Sequence, residues 1–205
     1  MRPAAELLQL EAAALPPLLR GTPEPAFDGP TVLPGWSVRD VIAHCGAALG
    51  RLVTDELGRF TPEENHGDVE SRRSWPLEAL LDDLFSRYPE AVTRIDELDG
   101  AADAIGLGEW IHGGDIRDAI GAPDAYTSDG IEIALSLIAE RAGERGIPAT
   151  VVDLDDRRLG LGMGPPVGRL RCDTETFVRL VAGREADPAR YDLTGLEPTN
   201  LLLFS

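Results

Sequence analysis

The stretch Gly108-Glu109-Trp110-Ile111-His112-Gly113-Gly114-Asp115-Ile116-Arg117 joins metal-ligating residue types to apolar helical spacing. Glu109 and His112 are three apart, which on a helix sets them about 60° apart on one face. A carboxylate and an imidazole so placed can share one ion. The chain holds only three histidines, so the pairing is not a by-product of a His-rich composition. A structural zinc site fills four positions with protein ligands, whereas a catalytic one uses three and leaves the fourth open. His44 on an earlier helix, with Glu109 and His112, would make three, and four-helix bundles build such sites from facing helices. Asp115 follows His112 by three residues, and Asp40 precedes His44 by one turn. Each could fix an imidazole through its second ring nitrogen. Plainer readings stay open: a solvated Glu109, histidines satisfied by hydrogen bonds, and an Asp40 that only caps its helix. His66, flanked by Asn65 and Asp68, reads as a solvent-exposed loop residue. Cys45 points about 100° away from His44 and reads as a small core residue.

These residues need helices to hold them. Leu7, Leu8, Leu10 and Ala12 to Leu15 predict a first helix over residues 4–15, disturbed or ended by Pro16-Pro17. Ser37 with Asp40 makes a capping-box-like start. The helix it opens carries Val38, Val41, Ile42, Cys45, Leu49 and Leu52 on its apolar face. Residues 59–73 are polar and read as an irregular crossover running along the bundle. Leu77, Leu80, Leu84, Tyr88, Val92 and Ile95 keep helical spacing in a third helix, and a fourth runs from about residue 102 to 120, stopped by Gly121-Ala122-Pro123. The remainder changes character. A helix over 130–146 is followed by strand candidates at 149–153, 158–162 and 168–172. A helix capped by Asp173 or Thr174 then leads to a partly extended tail. The fold class is therefore mainly α, with a four-helix bundle over residues 1–123 and a small α+β domain over 124–205.

Composition narrows the function. Net charge is −17 with no lysine, against phosphate-rich partners such as nucleic acid or an anionic membrane, and against any lysine-based covalent chemistry. The Arg-, Ala- and Gly-rich usage suits a GC-rich genome. Cys45 and Cys172 belong to no CxxC motif, and there is no signal peptide or long apolar run, so a reduced, cytoplasmic protein is expected. Gly160-Leu161-Gly162-Met163-Gly164-Pro165-Pro166 lacks the spacing and the following helix of a phosphate loop and reads as a strand and turn. No GxSxG elbow occurs.

Leu33-Pro34-Gly35-Trp36-Ser37-Val38-Arg39-Asp40-Val41-Ile42-Ala43-His44 resembles the PGWxVxDxxxH signature of the mycothiol-dependent maleylpyruvate isomerase family, within the DinB-like superfamily. Glu109 to Arg117 is similar to its second signature, a glutamate shortly before HGxDIR. Gly183-Arg184 and Asp192-Leu193-Thr194-Gly195 match its carboxy-terminal pattern. The resemblance implies a DinB-like bundle with His44, Glu109 and His112 as ligands of a divalent ion, zinc or nickel. It also implies mycothiol, an actinobacterial small-molecule thiol, as cosubstrate. A thiolate is the nucleophile, and an ordinary thiol is mostly protonated at neutral pH. An ion that binds the sulfur removes that proton. The thiolate can add to a conjugated double bond, allow rotation and leave (isomerisation), or remain attached (S-transfer), in either case on a small electrophilic substrate. Arg117 and Arg184 could hold a carboxylate of thiol or substrate, or form surface ion pairs. One feature departs from the family: its Glu and His are usually four apart, whereas here Gly108 stands at that position and Glu109 is three from His112. A non-catalytic protein that binds a metal or hydrophobic ligand, or regulates, on the same bundle is the alternative.

Overall fold

The computed structural model describes residues 1–58 and 60–204, which form two units, Met1–Ala125 and Tyr126–Ser205. The first unit contains α1 (Pro3–Gly21), α2 (Val38–Val53), α3 (Pro62–Arg72), α4 (Leu77–Glu97) and α5 (Asp103–Ala119). Helix α1 packs on α4 and α5, and α2 packs on the same two, closing a ring of four helices. Contacts along the helices give their directions. Arg39 meets Trp75, Gly46 lies against Asp83 and Gly50 against Arg87, so α2 and α4 run parallel. Arg2 meets Asp103, Ala4 meets Gly106 and Glu11 meets Arg117, so α1 and α5 are also parallel. Arg2 also reaches Asp99 while Arg20 covers Phe85, which makes α1 antiparallel to α4. Helix α2 is therefore antiparallel to α5.

Two parallel neighbours need a long return, and α3 supplies it. The segment predicted as an irregular crossover does carry the chain back along α2, but it does so as a helix. Thr61 caps it by accepting from the Glu64 N–H at 3.2 Å, and Pro62 occupies the first turn, where its missing donor costs nothing. Arg59, which opened the predicted crossover, lies outside the described residues. The expected stop at Pro16-Pro17 is also corrected, since α1 continues through both prolines to Gly21. Each proline removes one helical donor, but Leu15 and Leu19 are both buried, so core packing holds the last turn in register.

Helix α2 starts where the sequence places it. The Ser37 hydroxyl accepts from the Asp40 N–H at 3.3 Å, and the Asp40 carboxylate accepts from the Ser37 N–H at 2.8 Å. Replacing Ser37 with alanine is expected to cost about 1 kcal/mol in urea unfolding, the usual effect of losing an N-cap. A loss near zero would mean that Asp40 alone satisfies the first turn. At the far end of α5, the Ala122 N–H reaches the Arg117 carbonyl at 2.9 Å with Gly121 in the left-handed region at φ +67°, a glycine stop of the Schellman type.

The second unit holds α6 (Ile131–Glu144), β1 (Thr150–Asp153), β2 (Arg158–Leu161), β3 (Gly168–Cys172), α7 (Thr174–Val181) and β4 (Tyr191–Thr194). The sheet order is β2-β1-β3-β4, with β1 and β3 parallel and both outer strands antiparallel. The glycine-rich stretch ends β2 and turns at Gly162 (φ +67°) and Gly164 (φ +98°).

Candidate functional site

Capping sets the rotation of α2, and that rotation turns His44 inward, toward α5. His44 is 5% exposed, and its ring centroid lies 5.1 Å from that of His112, with the planes at 81°. Trp36, just before the cap, sets its indole edge-on to His44 at 5.3 Å. The two imidazoles thus meet between α2 and α5, with an aromatic wall on one side.

Each imidazole has a carboxylate on its Nδ1 side. Asp115 Oδ2 lies 3.0 Å from His112 Nδ1, and Asp115 is fully buried. Asp68 Oδ2, from α3, lies 3.7 Å from His44 Nδ1. Asp40 has a different task, because its Oδ2 accepts from both the N–H and the hydroxyl of Ser37. Burial works to raise the Asp68 pKa, but His44 and Arg51 outweigh it and hold the carboxyl below its ordinary value.

Glu109 is buried on α5, with the buried Cys45 thiol of α2 beside its carboxyl. Burial pushes its pKa up to about 8. The neighbouring Cys45 thiol opposes that shift and nearby Glu11 adds to it. The thiol is itself driven well above its ordinary value by burial and by Glu109. Tyr88 of α4 lies in the same core with a buried hydroxyl and is shifted up as well, by burial first and then by Glu109.

Arg117, a candidate for holding a carboxylate, is instead buried. Its Nη2 donates to Glu11 Oε2 at 3.0 Å, and Nη1 lies 2.9 Å from Oε1. The ion pair it forms is therefore a buried one, not one at the surface. Arg184 belongs to the second unit, where its Nη1 donates to the Ala182 carbonyl at 2.8 Å. His66 points outward on α3, with Nε2 3.7 Å from Glu70.

Sequence reasoning missed Asp68 and Glu11, whereas Cys45 is the buried core residue it was expected to be. A signal for the first was present. Thr61-Pro62-Glu63-Glu64 is a capping-box pattern with proline in the first position, which predicts a helix through Asp68. Residues two apart on a helix point about 200° apart, so an outward His66 means an inward Asp68.

The donor chemistry suits a divalent ion at the two histidines. A ligating imidazole commonly gives its other nitrogen to a carboxylate, and a buried carboxyl such as Glu109 has reason to accept a cation. Glu109 is nevertheless set against Cys45, and among the described residues no group of three His, Cys, Asp or Glu side chains is arranged to hold an ion. Position 108, where the family glutamate is expected, opens into space: a Cβ there would meet nothing within 4 Å.

Fold and site together define a four-helix bundle with paired histidines between its second and last helices, followed in the chain by a small α+β unit. The chain belongs to the mycothiol maleylpyruvate isomerase N-terminal domain family, whose model matches residues 8–120. Two solved structures share the fold over 97% of this chain and 95% of theirs, at 17% identity. They are a mycothiol-dependent maleylpyruvate isomerase (TM-score 0.61) and a histidine-to-alanine mutant of that enzyme (TM-score 0.60). No curated protein matches the chain. Among the described residues, no helix is long and apolar enough to cross a membrane.

Proposed function

We propose that this chain is a thiol-dependent isomerase that uses mycothiol to isomerise a small electrophilic substrate at a divalent ion held by His44, His112 and Glu109. S-transfer is the variant outcome of the same chemistry. The observation that carries the reading is the His44–His112 pair, with ring centroids 5.1 Å apart and His112 Nδ1 3.0 Å from Asp115. When bound, a divalent ion supplies a deprotonated, positioned sulfur at neutral pH. The chain's own residues do the rest. Asp115 fixes the His112 ring through Nδ1, leaving Nε2 as the ligating atom. Trp36 and the buried face of α2 shield His44 from water. Three protein ligands leave a position for the thiol.

Metal analysis of the purified protein tests the proposal. Wild type is expected to carry about one Zn²⁺ or Ni²⁺ per chain, and His112→Ala to lose most of it, since removing one of three ligands forfeits most of the affinity. Equal, negligible metal in both proteins would sink the reading. Glu109's contact with Cys45 favours a second reading, in which the bundle binds a ligand without catalysing a reaction. Incubation with mycothiol and a cis-configured conjugated acid separates the two: bound metal without isomer or thioether would favour the second.

A further inference from the structure

The crossover helix α3 brings one inward-facing carboxylate to the site, and its surroundings are specific. Asp68 Oδ1 accepts from Arg51 Nη1 at 2.6 Å, while Arg51 itself stacks on Phe60 with its guanidinium 4.7 Å from the ring centroid. That fixes one oxygen and aims the other. Asp68 Oδ2 and His44 Nδ1 are both buried, neither has a hydrogen-bond partner, and they face each other at 3.7 Å. A buried acceptor and a buried nitrogen left so are costly unless the nitrogen carries a proton directed at the acceptor.

We infer that Asp68 is a positioning residue for His44: held by Arg51, it selects the tautomer with the proton on Nδ1 and keeps Nε2 as the free electron pair. The inference rests on the metal reading only for its consequence, because the tautomer is a property of the metal-free chain. His112 also has a carboxylate at Nδ1, Asp115 at the closer distance of 3.0 Å, so the two rings present like nitrogens from opposite helices. The two carboxylates have different origins. Asp115 lies on the same helix as its histidine, whereas Asp68 comes from the crossover, so α3 becomes a working part of the site.

Long-range ¹⁵N–¹H correlation of the histidine rings in the metal-free, full-length protein at about pH 8, above the ordinary imidazole range, reads the tautomer directly. His44 is expected to be protonated at Nδ1 in wild type and to change or mix tautomers in Asp68→Asn and Asp68→Ala, with the His112 signals unmoved. Asp68→Glu restores the wild-type pattern at least in part. Zn²⁺ affinity, measured by chelator competition, should fall about 10–100-fold in Asp68→Asn, the usual loss when a ligand's carboxylate partner is removed. A wild-type His44 protonated at Nε2, or a tautomer unchanged by Asp68→Asn, overturns the inference whatever the affinity does. If wild type binds no Zn²⁺ but the tautomer shifts as described, the positioning role stands and the metal reading falls. Equal Zn²⁺ binding in wild type and Asp68→Asn with no tautomer change removes the positioning role and leaves the metal reading standing.

Discussion

Replacing Glu11 with alanine is expected to destabilise the first unit by about 3–5 kcal/mol, the cost of leaving one partner of a buried ion pair uncompensated. Glu11 is 1% exposed and Arg117 is 5% exposed, so neither charge can turn to water. Burial raises the Glu11 pKa, and the facing guanidinium works against that shift. One of the two contacts between them is a proper hydrogen bond; the other is close but poorly aligned. Gly113 makes the pair possible, since a Cβ there would sit 2.0 Å from Glu11 Oε1. Replacing both partners with methionine should recover most of the loss, because matched apolar side chains escape the desolvation that a buried pair carries. Urea midpoints at constant slope give both numbers. A Glu11→Ala cost under about 1 kcal/mol, the range of solvated surface pairs, would show that water reaches Arg117.

That pair also marks a limit of sequence reading. Arg117 follows His112 by five residues, a spacing that puts it on a different side of α5. Its destination depends on which helix lies there. Glu11 offers no clue on its own, because a lone glutamate in an apolar helix usually snorkels to solvent or pairs at the surface. Only the parallel packing of α1 on α5, with glycine at position 113, brings the two together. Helix α2 was legible because capping and apolar period agree at Ser37-Asp40, α4 from its apolar period alone, Leu80 through Ile95, and the end of α5 from its glycine stop at Gly121.

The crossover was harder for a physical reason. Helix α3 buries one apolar residue, Val69, so it has no stripe for periodicity to detect. Its stability comes from its N-cap and from Asp68 with Arg51, which are polar signals easily taken for a loop. The same blindness hid the partner of His44. Asp40, one turn away in sequence, is occupied by Ser37, while Asp68, twenty-four residues on, faces the ring. At Glu109, spacing indicated a helix face but could not show that Cys45 occupies the neighbouring space on α2.

Glu109→Gln is expected to remove a pH dependence of several kcal/mol from the stability of the metal-free protein. The carboxyl has its pKa raised from 4.5 to about 8, chiefly by burial. Below the lower value both folded and unfolded chains carry the proton, and the contribution to stability is fully present. Between the two values the folded chain holds a proton that the unfolded chain releases, so stability falls as pH rises, and the contribution is lost above about 8. Each pKa unit is worth about 1.4 kcal/mol, which makes the loss large against the ~5–15 kcal/mol that holds a typical domain together. Glutamine keeps the shape and cannot ionise, so the two proteins should match near pH 5 and diverge toward pH 8, with the variant the more stable. Urea midpoints at four pH values, with a chelator present, measure the difference, and parallel curves would mean that Glu109 reaches solvent. Repeating the series with Zn²⁺ extends the test to ligation. A cation on the carboxylate favours its charged form, so a ligating Glu109 loses its slope when Zn²⁺ is added, while the glutamine variant has none to lose. If Zn²⁺ binds and the wild-type slope persists, the ion rests on the histidines, and Glu109 remains the partner of Cys45.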